Sequence, residues 1–278
     1  MKQKTIKKPV EVNGLGLHTG KITTLKFLPA PENTGIRFRR SDLGVEIPAI
    51  IKTVVDTQRS TTIGISRDAV IWTIEHILAS AYCLGISNLI IESYAPETPL
   101  MDGSAREFVD ALISAEIIEQ NAEIKTLEIE KPIYVEQDDV LIIAIPCETY
   151  KISYTMSYSN KILGDQFYTV EINQENFINE ICSCRTFALY SEIENLIKKG
   201  LIKGGSLDNA IIITDNAILS KDGLRFQNEF VRHKIMDMIG DLSLIGCRLK
   251  GHIISIKSGH SCNVKIAHEI CRQYNLLS

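Results

Sequence analysis

A polar stretch from Asn121 to Thr126 divides the 278-residue chain into two runs of the same order: strands, then helix, then strand. That repetition limits the fold more than any other feature, because each half is long enough for one layered domain of sheet and helix. It places a boundary near residues 123 and 124, giving a first domain over 1–123 and a second over 124–278, and it hints at duplication. In the first half, alternating apolar and polar residues predict strands from Thr5 to Val12 and from Thr23 to Phe27. Ile74, Ile77, Leu78, Ala81 and Leu84 recur at helical spacing and predict a helix from Thr73 to Gly85, closed by the glycine. Asn88 to Ser93 reads as a buried strand, and Ala105 to Ala115 as a second helix. The second half predicts strands over Leu127–Val135, Val140–Ile145, Tyr150–Tyr158 and Ile253–Lys257. Its clearest helix runs from Glu229 to Ile245, with Asn228 and Gly246 as caps, and a last helix from Asn263 to Tyr274. A smaller strand–helix–strand unit lies near 188–214, its helix over Ser191 to Lys199.

Charge excludes one class of partner. With 30 Lys+Arg against 34 Asp+Glu, the formal net charge is −4, which argues against nucleic acid. The basic residues of the first dozen positions are not followed by the apolar core of a secretory signal, and no apolar run reaches membrane-spanning length. Seven cysteines, odd in number and scattered, suit reduced thiols in a cytoplasm. Cys182 and Cys184 lack a second pair at zinc-site spacing and read as buried strand cysteines.

Chemistry concentrates in the histidines. His233 and Asp237 stand four apart on the strong helix, so one turn brings both toward a single ion. Asp241 extends this stripe, away from the apolar face of Val231, Ile235, Met238, Ile239 and Leu242. Taken alone, such a stripe is weak evidence and more often marks a solvated helix face. Glu75 and His76 open the first-half helix and add a carboxylate and an imidazole. Two histidines and one carboxylate, with a fourth position left for water, make a catalytic zinc set rather than a closed structural one. An adjacent carboxylate such as Glu75 can take that water's proton, although it is also a favourable charge at a helix N-terminus. His260 lies in a glycine-flanked turn, Lys257 to Asn263, and suits proton donation near neutral pH with Asp241 to hold its ring. A plain surface-loop histidine fits that position as well. Gly14 to Gly20 has neither dinucleotide nor phosphate-loop spacing and predicts a tight turn or hairpin bearing His18. His252 and His268 read as structural or exposed.

These blocks form a longer pattern: GLGLHTG from Gly14, TIEHILAS from Thr73, PLMDGSA from Pro99, SCRTF from Ser183, Gly204-Gly-Ser206, VRHKIMD from Val231, IGDL from Ile239 and KSGHSCN from Lys257. In this order, from Val12 to about Lys265, the chain resembles the UDP-3-O-acyl-N-acetylglucosamine deacetylase family. The resemblance implies an α+β fold of two similar domains, each a β-sheet layered against α-helices, with the active site at the domain interface. It implies hydrolysis of the N-acetyl group of an acylated UDP-sugar, the committed step of lipid A synthesis in Gram-negative bacteria. It further implies zinc on His76, His233 and Asp237, with iron able to replace it, and Glu75 as general base. His260 would protonate the departing amine with support from Asp241, and Thr186 would help stabilise the oxyanion. Phe187 and Lys234 would line the substrate site, Lys257 would meet the diphosphate, and the unit near 188–214 would form the acyl-chain passage. Ser60 and Thr62 stand where relatives often carry cysteine, so no thiol is expected at the metal. The expected partner is the small-molecule UDP-sugar, and no apolar stripe demands a second subunit, so a monomer is expected. A metal amidohydrolase for another N-acyl substrate, and a non-catalytic sugar-nucleotide-binding protein, are the alternatives.

Overall fold

Two sheets of one design enclose a layer of helices. The computed structural model describes residues 1–277. The first sheet has the spatial order Val10–Leu15, Ile22–Pro29, Leu89–Ser93, Ile36–Arg40, Val45–Pro48. Every pairing in it is antiparallel except that of Leu89–Ser93 with Ile36–Arg40. The second sheet repeats this order as Ile133–Gln137, Val140–Ile145, Arg248–Ile256, Tyr150–Ser157, Asp165–Glu171, again with its central strand parallel to one neighbour, Tyr150–Ser157, and it adds a sixth strand, Thr126–Glu128, parallel to the start of that central strand. Alternating burial along Ile22–Pro29 and Arg248–Ile256 shows that each sheet buries one face.

In each half one helix precedes the central strand and one follows it. These are α1 (Glu75–Cys83) and α2 (Arg106–Ser114) in the first half. Two short helices intervene in the chain, α3 (Gln174–Asn176), which runs into a π-helical turn Phe177–Ile181, and α4 (Tyr190–Lys198). The second half then supplies α5 (Glu229–Ser243) and α6 (His260–Gln273). Helix α1 packs against α5, while α5 and α6 lie on the second sheet and α2 on the first. All nine residues of α1 are therefore buried, and α5 is buried on nearly every side. The solvated face that the α5 stripe allowed does not exist. The two helices meet at Gly240, where a β-carbon would stand 2.1 Å from the Glu75 carbonyl oxygen, so only glycine permits this approach.

Several strand expectations are corrected, and proline explains two of them. The single strand expected over Thr5–Val12 is two, Lys2–Ile6 and Val10–Leu15, broken at Pro9. Leu127–Val135 divides likewise into Thr126–Glu128 and Ile133–Gln137 around Pro132. Proline has no N–H for a ladder and sits at strand starts. The polar stretch at Asn121 is not a linker: Ile117–Glu123 pairs with Lys2–Ile6, and only Ile124 and Lys125 separate it from the next strand. The strand expected from Ile253 begins at Arg248, because parallel pairing with Thr126–Glu128 holds its polar start. Helix α6 begins at His260 rather than Asn263, with Gly259 extended before it. Cys182 and Cys184 are buried, but in the turn after the π-helical segment, where their thiols donate to the Ile178 and Glu180 carbonyls. Asn228 does occupy the position before α5, yet its side chain accepts from Arg232 Nε at 2.7 Å instead of capping the helix.

Near 187–219, strands Phe187–Leu189 and Ile211–Ile213 pair in parallel across α4, and Ile218–Leu219 adds an antiparallel edge.

Candidate active site

Because α1 and α5 cross in close contact, residues at the start of α1 face the second turn of α5. His76 Nε2 stands 3.5 Å from Asp237 Oδ1, and His233 Nε2 stands 3.4 Å from the same oxygen. The three ligand atoms lie within 4.8 Å of one another, and all three side chains are buried. Two donors each about 2.0–2.2 Å from one tetrahedral cation stand about 3.3–3.6 Å apart, so the spacing fits a shared ion. Protonation fits too. The Cys184 carbonyl accepts from His233 Nδ1 at 3.1 Å, which leaves Nε2 with its lone pair facing Asp237. Burial pushes His233 down to about 4, so the imidazole is neutral at pH 7. Burial alone would raise the Asp237 carboxyl, but His233 and Lys234 override it and hold it well below the usual carboxylate range. Lys234 Nζ donates to Asp237 Oδ2 at 2.9 Å, fixing the oxygen that the histidines do not face. The group has the donors of a His₂–Asp metal site.

Two further titratable groups close on this cluster. Glu75 is buried and accepts the Thr61 N–H on Oε2 at 3.0 Å. Burial raises its pKa, against the opposing pull of His260 and His76. His260 shares its Nδ1 with Asp241 Oδ2 at 2.8 Å. Burial works against charge on that ring, but Asp241 overrides it and, with Glu75 and Asp237, raises His260 to about 9. The fully buried Asp241 also accepts from Thr61 Oγ1 at 2.5 Å and from Asn263 Nδ2 at 2.9 Å. A carboxylate whose pKa burial raises and an imidazole that Asp241 keeps charged thus face one cleft of about 340 Å³. Such an arrangement can take a proton on one side and give one on the other.

The family can now be stated from comparison. Residues 3–272 match the profile of the LpxC family, described as UDP-3-O-acyl N-acetylglycosamine deacetylase. The chain belongs to this family. A relative from Chlamydia felis, named UDP-3-O-acyl-N-acetylglucosamine deacetylase, is 43% identical over 273 residues, covering 98% of this chain and 97% of its own. Relatives of the same name from Citrifermentans bemidjiense and Thermodesulfovibrio yellowstonii are 44% and 42% identical, over 98% and 96% of this chain and 89% and 91% of theirs.

Most of the residues that the family pattern singled out meet in the cleft. Glu75, His76, Thr186, Phe187, His233, Lys234, Asp237 and His260 all line it, and Asp241 lies behind His260. The Thr186 main chain is pinned between the Gly103 carbonyl and the Ile211 N–H. The Phe187 ring meets Phe230 edge-on at 4.9 Å and His233 at 6.3 Å. Lys257 is not in the cleft lining. It is exposed at the end of the central strand, with a left-handed φ of 56°, and pairs with Asp139 at 2.9 Å. An adjoining cavity of about 280 Å³ shares Leu17, Thr186 and Phe187 with the cleft and is walled by Ile193, Leu196 and Ile212. His18, on the predicted hairpin turn, lines this second space, and Glu97 anchors the turn by accepting the His18 and Thr19 N–H groups.

Sequence reading missed the residues that hold these groups. Thr61 contacts Glu75 through its backbone and Asp241 through its hydroxyl. Glu229, fully buried, accepts from Arg185 N, Nε and Nη2 and from Arg225 N, locking the Cys184–Phe187 segment to the start of α5. The one available signal was the SCRTF block, in which Arg185 sits between the Cys184 carbonyl and Thr186.

Proposed function

We propose that the cleft binds one zinc ion and hydrolyses the N-acetyl group of UDP-3-O-acyl-N-acetylglucosamine, releasing acetate and the free amine. The activity is that of the family: a hydrolase acting on an amide bond of an acylated UDP-sugar in lipid A biosynthesis. The observation that carries the residue-level reading is the convergence of Glu75, His260 and the His76–His233–Asp237 group in one cleft.

Zinc held by His76, His233 and Asp237 would supply Lewis-acid polarisation of the acetyl carbonyl and of the attacking water, and iron suits the same ligands. Glu75 takes the proton from the water as its oxygen attacks the carbonyl carbon. Thr186, fixed at the cleft wall, helps stabilise the oxyanion that develops on the carbonyl oxygen. His260, held charged by Asp241, protonates the amine as the C–N bond breaks. Lys234 keeps Asp237 ionised and oriented while its stem and the Phe187 ring border the sugar. Lys257 meets the diphosphate outside the cleft lining. The apolar cavity under α4 takes the acyl chain, a reading supported by its aliphatic walls and its continuity with the cleft. We further propose two domains, 1–123 and 124–278, a monomer, and a cytoplasmic location. The matching strand order supports the division.

Glu75→Ala tests the central role. The variant is expected to retain zinc by atomic absorption and to lose deacetylation by several orders of magnitude. Wild-type turnover would show that another group is the base.

A further inference from the structure

We propose that the rim around the outer end of the α4 cavity docks on the surface of an anionic lipid bilayer. Ile197 and Leu207 line that cavity, yet their side chains are exposed, by 61% and 45%, so the apolar wall continues onto the surface. The neighbouring hairpin turn adds Ile22, exposed by 82%, and reaches the rim where Gly20 packs against Lys203. Isolated exposed aliphatics are ordinary, but a group of them bordering an apolar opening marks an interaction surface.

Charge identifies the occupant. Every carboxylate of the α4 segment and the loop after it is already paired: Glu192 with Arg59 at 2.6 Å, Glu194 with Lys198 at 2.6 Å and Asp208 with Lys221 at 2.7 Å. The ammonium groups of Lys21, Lys199 and Lys203 have no partner among the described residues. A chain of net charge −4 thus carries a local positive excess around its exposed aliphatics. Compact charges on flexible stems suit a field of lipid headgroups, into which short apolar side chains dip, better than the fixed partners of a protein interface. The acyl-chain assignment of the cavity adds a reason for this placement, since a chain tail would emerge here, and only that reason rests on the proposed function.

The test mixes the full chain with vesicles of phosphatidylglycerol and phosphatidylcholine, or of phosphatidylcholine alone, at low salt and measures co-sedimentation. The protein is expected to sediment with the anionic vesicles only and to be released as ionic strength rises. At about fivefold per lysine, Lys199→Gln/Lys203→Gln should partition about 25-fold more weakly. Ile22→Ser should weaken binding separately. All three substitutions lie outside the cleft and cavity linings, so deacetylation in solution and melting temperature should stay at wild-type values. Absence of sedimentation with anionic vesicles, or undiminished sedimentation of the double lysine variant, would overturn the proposal. Displacement by soluble polyglutamate at charge concentrations equal to the lipid would also overturn it, reassigning the rim to an acidic protein. Binding is read without substrate, so an inactive protein that still sediments would defeat the catalytic reading alone.

Discussion

Asp241 lines neither the cleft nor the proposed metal site, yet it is the chief group that keeps His260 charged. In Asp241→Asn the hydrogen bond can persist while the largest countercharge is gone, leaving only Glu75 and Asp237 to offset burial. The alkaline limb of the pH–rate profile, expected near 9 from His260, should move to lower pH. An unmoved limb would assign it to another group. With Glu75 as the proposed base, the acid limb should lie above the ordinary carboxylate range because burial raises its pKa. The same shift acts on stability. His260 binds its proton more tightly folded than unfolded, so its stabilisation is full below about 6.5 and is lost as pH rises through about 9. The melting-temperature gap between wild type and His260→Ala should therefore be largest near pH 6 and narrow as pH rises through about 9. His233, Asp237 and Asp241 were legible because helical spacing puts them on one stripe. Thr61, Asn263 and the Cys184 carbonyl were not, since a contact made through the backbone or across the chain leaves no spacing to read.

At the scale of elements, the close crossing of α1 and α5 carries the site. Gly240→Ala would drive a methyl group into the Glu75 carbonyl, and the helices must part to admit it. Overpacking of this kind costs about 1–3 kcal/mol. The expected result is a lower denaturant midpoint together with weaker metal retention, because the displaced residue neighbours His76. A loss of stability with metal affinity intact would show that the crossing does not set the ligand spacing. The helices themselves were readable from their apolar periodicity, and Gly85 does close α1 with a φ of 76°. The strand breaks were legible in principle: Lys8-Pro9-Val10 and Lys131-Pro132-Ile133 open corresponding strands of the two sheets, a short echo of the repeat that apolar alternation alone passes over.

For the whole molecule, the proposed ligand set joins its two halves, since α1 supplies His76 and α5 supplies His233 and Asp237. A metal bound only by the folded chain adds stability in proportion to the logarithm of its excess over the dissociation constant, about 4 kcal/mol at a thousandfold excess. Removing metal with a chelator should lower the melting temperature of the wild type by several degrees and leave His76→Ala unchanged. Equal shifts in both proteins would mean that the ion sits elsewhere. The repeated order of strands and helices was visible in the sequence, but the shared five-strand pairing order of the two sheets was not, because register is set by contacts between distant segments.

Groups that complete the cleft run from Thr61 to Asn263. A ribosome must therefore deliver the chain from Thr61 through Asn263 before the cleft is complete. His76 emerges first and waits until Asp237 follows it for a partner to its imidazole, and the enzyme's birth as a catalyst waits longer still, for the helix that opens at His260.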